Sequence, residues 1–91
     1  MTHVLLMTKE GCNPCGRVKR ILDEIAREQR GITIEVVDFA SEQGLALALE
    51  HNVLYPPAVI VDGAFLGYGK IKEDRLREAL HALPSPGVDH G

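Results

Sequence analysis

Cysteine is scarce in this chain, with two in 91 residues, Cys12 and Cys15. The pair can close at most one disulfide, and a loop that short barely restricts the unfolded chain, so it is no scaffold staple. A disulfide-rich secreted module is thereby excluded. An excess of basic charge is also missing: the net charge is −3 and the isoelectric point is near 5.7. That balance argues against a protein whose main task is to hold nucleic acid or an acidic membrane surface. Long hydrophobic runs are lacking too. The N-terminal run at residues 4–7 is too short to span a bilayer or to serve as a secretory core, and Lys9 and Glu10 follow it, so an unprocessed cytoplasmic chain is expected. What remains is 45% hydrophobic and 25% charged, an ordinary globular balance. A length well under ~150 residues predicts one domain, which buries only about 60 to 65% of its unfolded surface.

The apolar pattern changes period along the chain. Residues 3–7 form a short apolar run bounded by Lys9, Glu10 and Gly11, which predicts a buried strand. From Cys12 onward Val18, Ile21, Leu22 and Ile25 recur at helical spacing, with Arg17, Lys19, Arg20, Asp23, Glu24 and Arg27 facing away. Gly31 stands where a helix C-terminus calls for a left-handed residue. Ile32, Ile34, Val36 and Val37 make a β-branched second strand ending at Asp38. Ser41 can cap a second helix with Leu45, Ala48, Leu49 and Val53 as its apolar positions, weakened by Gly44 by roughly 1 kcal/mol relative to alanine. After Tyr55, Pro56 and Pro57, two apolar runs flank Asp62-Gly63, which predicts a hairpin with a tight two-residue turn. A last helix carries Leu76, Ala79, Leu80 and Leu83 on one face and is stopped by Pro84 and Pro86. The order β-α-β-α-β-β-α makes a small mixed sheet covered by helices the natural packing solution for residues 1–83, with residues 84–91 a frayed tail.

Cys12, Asn13, Pro14 and Cys15 fall between the first strand and the first helix. A helix N-terminus presents unpaired N–H groups and about half a positive charge, both of which favour a thiolate over a thiol. Cysteines so placed have pKa values lowered from about 8.5 to roughly 3.5 to 7.5, and only the thiolate attacks a disulfide. Lys9, Arg17 and Lys19 add positive charge nearby. Pro14 is tolerated because the first turn has no partner for the N–H that proline lacks. Cys12 is therefore the expected nucleophile of thiol–disulfide exchange, and Cys15, one turn in, the more buried residue that resolves the mixed disulfide. Two other readings stay open here. The cysteines are either a chance buried pair or half of a metal site, the latter implying metal binding or delivery. Zinc normally takes four ligands, and His3, His51, His81 and His90 all lie far along the chain from the pair, except His3, which is not at ligand-motif spacing, so no metal ligand set is assigned.

Taken together, these residues resemble the thioredoxin superfamily and, within it, the small glutaredoxin-like branch. The similarity covers about residues 3–83 and rests on Lys9, Cys12 and Cys15 after a strand, on Tyr55-Pro56-Pro57 before an apolar strand, and on Gly67 after the hairpin turn. The chain has no tryptophan and lacks the Trp-Cys-Gly-Pro-Cys of full thioredoxins, as well as their extra N-terminal strand and helix. It is also similar to short bacterial and archaeal redox-active disulfide proteins. The resemblance implies an α/β thioredoxin fold with a four-stranded mixed sheet, the second strand parallel to the first and the last two antiparallel, flanked by three helices. It implies that Pro57 is a cis-proline facing the disulfide, supported by Asn13 and Pro14 in the loop. It further implies a disulfide reductase with no bound cofactor other than the Cys12–Cys15 disulfide, acting as a monomer. Protein disulfides are the implied substrates, with glutathione or a thioredoxin-reductase-type enzyme as electron donor. Residues expected to contact glutathione or substrate are Lys9, Tyr55, Pro56 and Gly67. Pro56 departs from the glutaredoxin pattern, since it offers a carbonyl but no N–H, and Tyr68, Gly69 and Lys70 stand where a second glycine and acidic residues are usual.

The charges are segregated. Lysine and arginine are absent between Gly31 and Gly69, a stretch that holds Glu35, Asp38, Glu42, Glu50 and Asp62, whereas Arg17, Lys19 and Arg20 follow the cysteines. The expected result is a positive rim at the cysteines that steers acidic partners or glutathione. Tyr55, Phe65 and Tyr68 are expected to line a shallow groove beside Cys12.

Overall fold

A strand that is apolar at four consecutive positions can only sit inside a sheet covered on both faces, and β1 (Thr2–Thr8) does so. In the computed structural model, which describes residues 1–82, it lies between β2 (Ile32–Asp38), parallel to it, and β3 (Ala58–Val61), antiparallel to it. β4 (Ala64–Tyr68) completes the sheet as the antiparallel neighbour of β3, giving the order β2-β1-β3-β4. These are the directions that the resemblance implies. Leu83, Pro84, Pro86, His90 and the expected tail at residues 84–91 lie outside the described residues.

Alternate side chains of β1 feed two separate cores. Val4 and Leu6 meet α1 (Asn13–Glu28) and α3 (Glu73–Ala82) in a cluster with Val18, Ile21, Leu22, Ile25, Leu76 and Leu80. Leu5 and Met7 meet α2 (Glu42–His51) on the opposite face, with Val37, Ala48, Val53, Ala58 and Ile60. The expected apolar stripe of α1 is the one that is buried. Its end differs from expectation: the helix closes at Gln29 with extended backbone, two residues before Gly31. Gly31 does adopt positive φ, +82°, but serves the turn into β2, where its carbonyl accepts from the Thr2 N–H at 2.7 Å.

α2 is the second departure. Ser41 caps it as expected, its hydroxyl accepting from the Gly44 N–H at 3.0 Å. Leu45 and Leu49, however, point outward, with Leu49 82% exposed, and Gly44 and Ala48 form the buried side. Gly44 explains the rotation. A Cβ there would collide with the Asp38 carbonyl oxygen and come within 2.9 Å of the Phe39 backbone, so the helix approaches the end of β2 on its glycine face. What looked like a propensity defect is a contact surface.

The β3–β4 hairpin turns at Asp62-Gly63, both with positive φ (49° and 83°), as a tight right-twisting turn requires. A bulge interrupts the pairing, so that Ile60 opposes Phe65 while Val59 opposes Gly67. Leu66 is the extra residue. In a regular strand, positions three apart face opposite sides; the inserted residue puts Phe65 and Tyr68 on one face, stacked 6.2 Å apart.

Arg77 ties the two helices of one face together. It donates to Glu73 within α3 at 2.8 Å and to Glu28 of α1 at 2.8 Å, with Glu24 at 3.4 Å.

Candidate active site

β1 delivers the chain to a tight turn at residues 9–12. Gly11 takes positive φ, +80°, which lets the Cys12 N–H reach back to the Lys9 carbonyl at 3.2 Å. Cys12 then becomes the N-cap of α1: its backbone is extended and its sulfur accepts from the Cys15 N–H at 3.2 Å. Pro14 stands in the first turn, where no carbonyl awaits its missing N–H. Cys12 and Cys15 are joined in a disulfide, with Cα atoms 5.4 Å apart. Their environments differ. Cys12 is partly exposed, whereas Cys15 is 4% exposed and belongs to the buried side of α1. The first turn of α1 carries no acidic residue, so no local carboxylate offsets the positive end of the helix.

A second chain segment borders the same corner. The Pro56–Pro57 peptide is cis, and Pro57 is fully buried at the start of β3, beyond the Ala58–Met7 pair. The Pro57 carbonyl accepts from the Gly69 N–H at 2.7 Å. This bond fixes where the chain leaves β4, and Gly69 turns it with φ +76°. Arg17 meets the departing segment, donating to the Ile71 carbonyl at 3.1 Å. Between the two walls lies a pocket of about 520 Å³, lined by Asn13, Pro14 and Arg17 on one side and by residues 69–72 on the other.

The residues expected from the sequence are distributed unevenly around this corner. Cys12, Asn13, Pro14 and Cys15 are together, and Asn13 and Pro14 line the pocket. Lys9 is exposed and Pro56 partly buried. Gly67 sits inside β4, paired with Val59, and borders a different hollow with Lys70, Asp74, Arg75 and Glu78. Tyr55 is 55% exposed, and its ring covers Gly69, where a Cβ would come within 2.8 Å of it. It meets Tyr68 edge to face at 5.2 Å, and Phe65 continues the row to His51 at 5.5 Å. Phe65 is 36% exposed and flanks α2 instead of filling the core.

Gly69, Lys70, Ile71 and Lys72 were not expected as site residues. Their signal in the sequence is a glycine after a strand followed by two lysines that bracket an isoleucine, with Gly69 and Lys70 at the place where the glutaredoxin pattern has a second glycine and acidic residues. Among the described residues, no group of three or more histidine, cysteine or acidic side chains is gathered as a metal site would need, and no helix is long and apolar enough to cross a membrane.

The geometry has counterparts in known proteins. The chain is 24% identical over its whole length to a probable thioredoxin of Archaeoglobus fulgidus, covering 98% of that protein. Its fold is similar to thioredoxin O2 of Arabidopsis thaliana in the oxidised state, with a TM-score of 0.73 and 19% identity, covering 93% of this chain and 76% of that one. A thioredoxin-like protein of Clostridium perfringens overlays with a TM-score of 0.74 at 15% identity, covering 99% of this chain and 78% of that one. The model of the glutaredoxin-like domain family (DUF836) matches residues 3–81. A four-stranded thioredoxin fold, a Cys-x-x-Cys disulfide capping its first helix and that match place the chain in the glutaredoxin-like domain family of the thioredoxin superfamily.

Proposed function

We propose that this protein is a dithiol oxidoreductase that reduces disulfides in other proteins, with Cys12 as nucleophile and Cys15 as resolving residue. The observation that carries this reading is the disulfide's asymmetric position: one sulfur partly exposed at the cap of α1, the other buried a turn further in. In the reduced protein the Cys12 thiolate attacks a substrate disulfide. A Cys12–substrate S–S bond forms, and the substrate's other sulfur leaves as a thiolate and takes up a proton. The Cys15 sulfur, having lost its proton, then attacks Cys12, which expels the second substrate thiol and restores the Cys12–Cys15 bond. Two electrons pass to the substrate. Regeneration needs an external two-electron donor, and we assign that role to a reductase of the thioredoxin-reductase type in a reducing compartment such as the cytoplasm, with the protein working as a monomer.

Glutathione is the weaker donor candidate. Pro56 has no N–H to pair with a peptide-like ligand, and the Pro57 carbonyl is already used by Gly69. Metal delivery, the alternative function, would need further ligands beside the two thiolates, and among the described residues no histidine, cysteine or acidic side chain joins them in a group of three. The test is reduction of the oxidised protein by glutathione and by a thioredoxin reductase system, following the Cys12–Cys15 disulfide by thiol alkylation and mass. Rapid reduction by the reductase system and slow reduction by glutathione is the expected result; the reverse order would assign the donor to glutathione.

A further inference from the structure

We propose that the pocket beside the disulfide receives an acidic segment of the polypeptide whose disulfide is reduced, an inference that rests on the oxidoreductase reading above. Three cations surround this pocket: Arg17 on α1, and Lys70 and Lys72 on the segment after β4. No carboxylate lines it. Among the described residues none of the three cations has an acidic partner, although Lys19 and Arg77 elsewhere do. Lys70 and Lys72 also border the neighbouring hollow that holds Asp74 and Glu78, but neither lysine is ion-paired to them. In a chain of net charge −3, three cations without an ion-pair partner around a pocket that no carboxylate lines mark a place where negative charge is supplied from outside.

The position makes that charge a specificity device. Asn13 and Pro14, which form one wall, are the two residues between the cysteines, so whatever occupies the pocket lies next to Cys12. Arg17 is held in place by its bond to the Ile71 carbonyl, which leaves its other N–H groups for a ligand. Pro14 and Ile71 give the pocket an apolar floor, and about 520 Å³ accommodates two or three side chains. Backbone pairing beside the cis-proline is poor, because residues 56 and 57 both lack an N–H and the Pro57 carbonyl is occupied. Recognition therefore falls on side chains, and the side chains present are cationic.

The experiment uses the reduced protein and three synthetic peptides of equal length, each with one internal disulfide flanked on one side by three aspartates, three serines or three lysines. Exchange rates are read by stopped flow at low and at ~0.5 M salt, where screening shortens electrostatic reach to under about 5 Å. We expect the aspartate peptide to react on the order of 10-fold faster than the serine peptide, and the lysine peptide slower, with the spread collapsing in high salt. In the Lys70→Glu/Lys72→Glu double variant the aspartate-to-serine ratio falls below one; wild-type salt dependence keeps the test valid if that variant does not fold. Equal rates for the three peptides would overturn the acidic-segment proposal and leave the oxidoreductase reading intact. Faster reaction with glutathione disulfide than with the aspartate peptide at equal concentration would also overturn it, since the pocket would then be a small-anion site. No reaction with any disulfide would overturn both.

Discussion

Cys12 and Cys15 occupy equivalent positions in their motif but have unequal exposure, and each variant reports a different step. Cys12→Ser is expected to reduce disulfide turnover to the buffer rate. Cys15→Ser is expected to accumulate a stable Cys12–substrate adduct, visible as added mass that dithiothreitol removes. Gly44 poses a different question at the same scale. On helix propensity alone Gly44→Ala would stabilise by about 1 kcal/mol. Backbone atoms of Asp38 and Phe39 stand where the new methyl would go, so we expect a net loss of about 1 to 3 kcal/mol by denaturant unfolding. A stabilised Gly44→Ala protein would mean that α2 can lift off the sheet end without cost.

Among the elements, α1 and α2 differ in how their faces are chosen. α1 buries a continuous apolar stripe, and Leu22→Ala, at a position with no exposure, is expected to cost about 2 to 5 kcal/mol. Leu49→Gln on α2, at an 82% exposed position, is expected to change stability by less than about 0.5 kcal/mol. Urea unfolding of both variants checks the pair. The contrast shows what hydropathy can convey. The α1 stripe, the β-branched second strand and the Asp62-Gly63 turn are local signals, and each was legible. The buried face of α2 depends on a glycine meeting backbone from the end of β2, and no apolar count records such a meeting. The same holds at the site: the cysteines and their helix cap are one contiguous stretch, whereas the wall at residues 69–72 arrives through the Gly69–Pro57 and Arg17–Ile71 bonds, the second of which joins residues 54 apart. The bulge at Leu66, which aligns Phe65 with Tyr68, left no mark that sequence reading could use.

For the molecule as a whole, a typical stability for 91 residues is about 5 to 14 kcal/mol, so the coupling of its layers matters. Arg77 joins α3 to α1, and the hydrogen bonds it donates to Glu73 and Glu28 raise the guanidinium pKa above its ordinary value. A raised pKa means that the folded state favours the charged form: the contribution is fully present below the unfolded-state pKa and is lost only as pH climbs through the folded one, in strongly alkaline solution. We therefore expect Arg77→Met to lower Tm by the same amount at pH 7 and pH 9, and by less than Leu22→Ala does. At the end of the sheet away from the cysteines, Asp62 does two things at once. It shapes the hairpin turn, and it is bonded reciprocally to His3, its carboxylate accepting from the His3 N–H at 2.8 Å while its own N–H donates to the His3 carbonyl at 2.8 Å. The first strand is thus stapled to the hairpin tip far from the chemistry. The slowest deuterium exchange is expected in the buried centre of β1 and β3, and the staple should slow the His3 and Asp62 amides relative to the other exposed amides of the hairpin tip, a protection that Asp62→Ala removes at His3.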